Sequence, residues 1–266
     1  MNNTEKIDFD ALAERMLTDY DNADPGTVFG EGLRLSLPDA WQLQGAVATL
    51  REARGETITG YKIGCVAEEN RRQMGVPHPV WGRLWNTEQF ASGATLQKSD
   101  YANLAIEGEF AVVLNRDIDP ARSTLDDIAE SVAEVFPVIE LHNLVMRGDD
   151  PKGHELIANN AIHAGVIRGE GCCPEASATT DLNILFDGKP VDAWQSVTWP
   201  GEILEATGWL VGELNQRGIT LRQGDITLHQ GDTILTGALG PPILVADIHH
   251  VNVTSTQFGD VQAFFE

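Results

Sequence analysis

Leu104-Ala105-Ile106-Glu107-Gly108-Glu109-Phe110-Ala111-Val112-Val113-Leu114 alternates along its whole length. Ile106, Phe110, Val112 and Leu114 fall on one side and Glu107, Glu109, Ala111 and Val113 on the other, which is the two-residue period of a β-strand. No other stretch states its conformation as clearly. Both glutamates lie on one face, their side chains starting roughly 6.5–7 Å apart along the strand.

Upstream of this strand the pattern is helical. Leu12, Met16, Leu17 and Tyr20 recur at helical spacing, and a second helix runs from a Ser36 cap through Ala40, Leu43, Val47 and Leu50 to Gly55. Ile58 to Gly64 then reads as a strand, Ala67 to Met74 as a short helix, and Val80 to Trp85 as an apolar run after the Pro77/Pro79 break. Downstream, Ser123 and Thr124 open a helix carrying Leu125, Ile128 and Val132, and Pro137 blocks its continuation into the run from Val138 to Met146. Asp187-Gly188 suggests a hairpin and Ile203 to Leu214 an amphipathic helix; the remainder to Phe265 is strand-like with Gly-Asp turns. Strands and helices do not alternate strictly enough for a doubly wound sheet, and no internal repeat is visible, so the fold class is α+β. The expected division is a helical N-terminal region at residues 1–78 and a β-rich catalytic part at 79–266.

Composition narrows the function. The 266 residues carry 18 Lys and Arg against 40 Asp and Glu, a net charge of −22. A surface so acidic repels phosphate backbones and anionic headgroups, which argues against nucleic acid and membrane partners. The opening MNNTEKIDFD has no basic stretch followed by an apolar one, and no apolar run approaches the ~18 residues of a membrane span. Three cysteines, with Cys172 and Cys173 adjacent, fit a reducing compartment better than a disulfide framework. The expected location is the cytoplasm.

Two carboxylates side by side in a partly buried site raise each other's pKa unless a positive charge lies between them, and a divalent cation meets that need. Glu140, inside the apolar stretch Val138-Ile139-Glu140-Leu141, is the natural third ligand, because a lone carboxylate there is costly to bury. Three glutamates favour Mg²⁺ or Mn²⁺. A solvated acidic face is the competing reading: 40 acids in 266 residues give roughly six acid-x-acid pairs by chance. Lys62, flanked by Gly60 and Gly64, either presents an ammonium in a pocket or lies at a strand edge. His154-Glu155 lacks the second histidine of a zinc-protease helix, and no nucleophile elbow, P-loop or dinucleotide fingerprint occurs.

The ordered motifs Gly60-Tyr61-Lys62-Ile63-Gly64, Gly75-Val76 with Pro79 and Gly82, Ile106-Glu107-Gly108-Glu109, Ile139-Glu140, Ala158-Asn159-Asn160-Ala161 and Leu235-Thr236-Gly237 resemble the 2-keto-4-pentenoate hydratase / 2-oxo-enedioate decarboxylase family of the fumarylacetoacetate hydrolase superfamily. The resemblance covers nearly the whole chain. It implies a helical N-terminal part followed by a mixed β-roll, a homo-oligomer, and a small 2-oxo acid as substrate. Matched residue by residue, it implies Mg²⁺ or Mn²⁺ held by Glu107, Glu109 and Glu140, and Lys62 as the active-site lysine. His78, Asn160 and Gly237 are the further substrate-binding candidates.

The activity so implied is a metal-dependent hydratase of an unsaturated 2-oxo or 2-hydroxydienoic acid such as 2-keto-4-pentenoate, in aromatic-compound catabolism. The alternatives are a 2-oxo-3-enedioate decarboxylase, an acylpyruvate C–C hydrolase and a non-catalytic metal-binding relative. Three positions depart from the hydratase pattern: Val80 replaces an aspartate, Asn159-Asn160 an Asp-Asn pair, and Ala238 a serine. An apolar residue at position 80 is closer to the decarboxylase branch. His78, His142, His163 and Glu155 are the groups available to replace the missing proton carriers.

Overall fold

The computed structural model describes residues 7–118, 124–217 and 228–266. Ser123 and residues 218–227 of the expected C-terminal strands lie outside these segments. In chain order the elements are α1 (Phe9–Asp21), α2 (Thr27–Gly30), α3 (Leu37–Ala53), β1 (Ile58–Gly64), α4 (Glu68–Met74), β2 (Val80–Trp85), β3 (Gln89–Ala91), β4 (Ala94–Leu96) and β5 (Leu104–Leu114). They continue with α5 (Leu125–Glu130), β6 (Val132–Asn143), α6 (Gly153–Ala158), β7 (His163–Arg168), β8 (Ala178–Phe186), β9 (Lys189–Trp199), α7 (Gly201–Gln216), β10 (Thr233–Leu235), β11 (Ile243–Leu244), β12 (His250–Ser255) and β13 (Gly259–Phe265).

Capping residues set the helix starts. Ser36 and Asp39 exchange side-chain and backbone hydrogen bonds at the head of α3, and Thr124 and Asp127 do the same for α5. The hairpin between β8 and β9 turns at Asp187 and Gly188, with φ of 48° and 75°, the left-handed pair that a two-residue turn requires.

Among the described residues the strands form two mixed sheets. The larger runs β2-β1-β10-β5-β6-β7-β3, with β11 also on β5; the smaller runs β4-β13-β12-β8-β9. The larger sheet curls until β2 touches β7, and Leu84, Ala111, Phe136, Val138, Val166 and Leu235 fill its inner face as a separate apolar cluster. This is the mixed roll that the sequence motifs imply. Its outer face packs on the smaller sheet: Phe110 meets Phe258 edge to face, and a Cβ on Gly108 would lie 2.8 Å from Ile184 and 3.1 Å from Val253. Helices α1 and α3 close another side, where Trp41 stacks on Trp81 at 4.9 Å and the buried Gln44 amide donates to the carbonyls of Trp81 and Ile157.

Two local expectations change. The helix expected to carry Val132 ends at Glu130, and Val132 begins β6, because pairing with β5 continues to Leu114 opposite Val132. Long-range pairing overrides the short helical pattern. Pro137 lies inside β6 rather than before it, opposite Phe110. The pairing of β6 with β7 ends at Val138, so the proline falls just past its last partner, and its carbonyl accepts from Gly169. The expected boundary at residues 78/79 separates β1 from β2, which are hydrogen-bonded neighbours.

Candidate active site

The register of β5 against β6 assembles the acids. Glu107 lies directly opposite Glu140, Glu109 opposite Val138, and His142 follows two residues after Glu140 on the same face. On the other side Lys62 of β1 pairs with Leu235 of β10, which pairs with Ala111 of β5, so the ammonium enters the same inner face. All five side chains thus come from rigid strands.

The contacts are short and buried. Lys62 Nζ is 3.3 Å from Glu140 Oε1, and His163 Nδ1 is 2.7 Å from the same oxygen. His142 Nε2 lies 3.0 Å from Glu107 Oε2 and 3.5 Å from Glu140 Oε2. The backbone N–H of Gly237 donates to Glu109 Oε2 at 2.7 Å. Glu109 and Glu140 are fully buried and Lys62 nearly so, whereas Glu107 keeps some access to solvent.

Electrostatics follows from that crowding. Burial, reinforced by the neighbouring Glu140 charge, holds Glu109 well above the usual carboxylate range. Burial would raise Glu140 too, but Lys62, His142 and His163 together pull it well below that range. Burial would also discharge Lys62, yet Glu140, Glu107 and Glu109 outweigh it and raise the ammonium's pKa. One ammonium faces three carboxyls, an unbalanced cluster in a low-dielectric interior.

The residues fit a divalent ion. Glu109 Oε1, Glu140 Oε2 and His142 Nδ1 are buried and make no hydrogen bond, an arrangement that costs free energy unless another group meets them. Donor atoms of Glu107, Glu140 and His142 all lie within 4.8 Å of one another. Among the described residues this is the one trio of acids and imidazoles whose donor atoms converge so closely; Glu109, the third ligand that the resemblance implies, stands beside it with its Oε1 unpartnered. Oxygen donors suit Mg²⁺ or Mn²⁺, and an imidazole shifts preference toward softer first-row ions.

A cleft opens beside this cluster, about 700 Å³ including its mouth. Lys62, Glu107 and His142 are its charged or titratable side chains, apart from the Cys65 thiol. Met74, Val80, Leu144, Met146 and Leu156 supply apolar wall, and the amides of Asn70 and Gln73 are its other polar side chains.

Several of the other expected residues lie elsewhere. His78 is outside the cleft lining: its ring packs on Trp209 at 5.7 Å, and Nδ1 meets the Pro79 carbonyl. The Asn160 side chain is used by the backbone, accepting from Arg83 N and donating to Arg83 O. Gly237 faces Glu109 through its N–H. Glu155 accepts from the N–H groups of Arg147 and Gly148, anchoring a loop. The placement of His142 beside the acids follows from its spacing, since Glu140-x-His142 puts both side chains on one face just as Glu107-x-Glu109 does.

No family model matches the chain. A 2-keto-4-pentenoate hydratase of Burkholderia vietnamiensis is 27% identical over 231 residues, 85% of each chain. The structure of 4-oxalocrotonate decarboxylase from Pseudomonas putida G7, complexed with magnesium and adipate, superposes with a TM-score of 0.84 over 97% of both chains, at 24% identity. A fumarylpyruvate hydrolase from Pseudomonas aeruginosa, in complex with Mn²⁺ and pyruvate, has a TM-score of 0.56 over 77% of this chain and 88% of its own, at 14% identity.

Proposed function

We propose that the chain, which is 27% and 28% identical to two 2-keto-4-pentenoate hydratases and shares the fold of 4-oxalocrotonate decarboxylase, is a member of the 2-keto-4-pentenoate hydratase / 4-oxalocrotonate decarboxylase family and a divalent-metal-dependent hydro-lyase acting on a small unsaturated 2-oxo or 2-hydroxydienoic acid. The observation that carries the reading is the buried acid cluster, with unpartnered oxygens on Glu109 and Glu140, set behind a cleft that Glu107 and the Lys62 ammonium line. Glu107, Glu109 and Glu140 would hold Mg²⁺ or Mn²⁺, with His142 beside them. The bound ion supplies a Lewis acid for negative charge developing on the C2 oxygen of the substrate.

The chain's own groups do the rest. Lys62 attracts and orients the substrate carboxylate, its charge secured by the surrounding glutamates. His142, hydrogen-bonded to Glu107 and lining the cleft, is the group placed to give or take a proton. The walls formed by Met74, Leu144, Met146 and Leu156 receive the carbon chain and exclude water from it. Among the described lining residues, no arginine or second lysine awaits a distal carboxylate. This favours a monoanionic dienoate over an enedioate.

Decarboxylation is the second reading, favoured by Val80, which lines the cleft with a buried apolar side chain where an acid would help to activate water. Incubating the Mn²⁺-supplemented chain with 2-hydroxypenta-2,4-dienoate and, separately, with a 2-oxo-3-enedioate decides between them by product mass. The expected result is gain of water on the dienoate. Loss of CO₂ from the enedioate alone would overturn the hydratase assignment, and turnover of neither would overturn both.

A further inference from the structure

His163 begins β7 behind the acid cluster and is fully buried. Its Nδ1 meets Glu140 Oε1, the oxygen already facing Lys62, while Glu140 Oε2 is left without a hydrogen bond on the side of His142. The carboxylate is therefore gripped by one oxygen, and the other is kept available.

The far side of the imidazole is equally organised. His163 Nε2 lies 4.0 Å from Glu88 Oε2, and both atoms are buried without a hydrogen-bond partner. The other Glu88 oxygen accepts from Tyr20 of α1 at 2.7 Å and from Arg51 of α3. Arg51 is in turn bound to Glu56 at 2.7 Å and covers the Trp85 ring at 4.5 Å. The segment 142–146, which leaves the end of β6, divides two spaces: His142, Leu144 and Met146 line the cleft, whereas Asn143 and Val145 line a second cavity with Tyr20, Arg51 and His163. His163 passes between them. A buried carboxylate anchored by two helices, next to an imidazole that touches a candidate metal ligand, is more than core packing requires, because an apolar trio would fill that space without three unpartnered polar atoms.

We propose that His163 is a positioning residue for Glu140, holding one carboxylate oxygen so that the other stays turned toward the metal position, and that Glu88, fixed by Tyr20 and Arg51, limits the imidazole's movement by closing its opposite side. The inference rests on the metal-dependent reading above. Partners one step removed from a metal typically set its affinity by about 10–100-fold.

The test is Mn²⁺ binding to the purified full chain, read from the electron paramagnetic resonance signal of free Mn²⁺, with thermal unfolding recorded without added metal. His163→Leu is expected to weaken Mn²⁺ binding at least tenfold. His163→Asn, whose amide nitrogen can occupy the Nδ1 position, is expected to recover most of that loss. Glu88→Gln should weaken binding severalfold alone and add little in the His163→Leu background, because Glu88 reaches Glu140 only across the imidazole. A purely structural role would lower the unfolding temperature without this rescue and without the non-additivity. Mn²⁺ binding by His163→Leu or, should that variant not fold, by Glu88→Gln within twofold of the wild type overturns the inference alone. A wild-type chain that binds no Mn²⁺ overturns the functional reading and this inference with it.

Discussion

Glu107 and Glu140 face each other directly across the antiparallel pair β5–β6, with His142 Nε2 within 3.5 Å of an oxygen of each. Two carboxylates in that position repel, and the neighbouring Lys62 neutralises only part of their charge. A divalent cation shared by both would relieve the remainder.

The ligand set can be separated by substitution. Glu107→Gln and Glu140→Gln should each weaken Mn²⁺ binding by at least tenfold while leaving the far-ultraviolet circular dichroism unchanged. If Glu109 is the third ligand, Glu109→Gln should do the same and His142→Leu should not. The reverse pattern, measured by Mn²⁺ titration, would transfer the third position to His142.

Lys62→Met removes the ammonium that faces Glu140 Oε1 at 3.3 Å. Breaking one partner of a buried ion pair costs about 3 kcal/mol, so the unfolding temperature without metal should fall by several degrees. Saturating Mn²⁺ should recover part of that loss by supplying positive charge, while KM for the dienoate rises. An unchanged unfolding temperature, with and without metal, would show that the cluster does not need the lysine.

Acid sensitivity should trace to Glu56. Burial pushes its carboxyl up, but hydrogen bonds from Arg51 and Arg54 pull it below the usual carboxylate range. The folded chain therefore binds fewer protons at this site than the unfolded chain does. The stabilisation is complete above the unfolded value of about 4.3 and is lost as pH falls through the lower folded value. Glu56→Gln should be less stable at neutral pH and lose less stability between about pH 5 and pH 3. Denaturant midpoints across that window test it, and parallel curves for the two chains would contradict it.

Gly108 separates the two glutamates and turns to the opposite face, where a Cβ would press on Ile184 and Val253 of the smaller sheet. Gly108→Val should destabilise the chain by about 1–3 kcal/mol through overpacking. Because the sheets must part to admit it, Mn²⁺ affinity should fall as well. A variant with unaltered unfolding temperature would mean that the interface yields freely.

Much of this arrangement is legible in the residue order alone. The alternation at 104–114 placed Glu107 and Glu109 on one face, and the apolar setting of Glu140 marked a carboxylate in need of a partner. The helix heads at Ser36 and Thr124 and the Asp187-Gly188 turn were equally readable, because caps and turns depend on adjacent residues. Val132 and Pro137 misled for the complementary reason: β6 extends across both since β5 and β7 supply its partners. Asn160 suggested a ligand group, and its amide is instead committed to both backbone atoms of Arg83.

By itself the chain's residue order determined the class of fold, the net charge of −22, and which carboxylates share a strand face, since composition and periodicity are properties of the sequence alone. Only the tertiary structure decided that Glu107 meets Glu140, that Lys62 reaches the same oxygen as His163, and that Glu88 backs the imidazole from the helical side. Those relations depend on strand register and on the curl of a sheet, where contacts between distant segments, not local spacing, set which atoms touch.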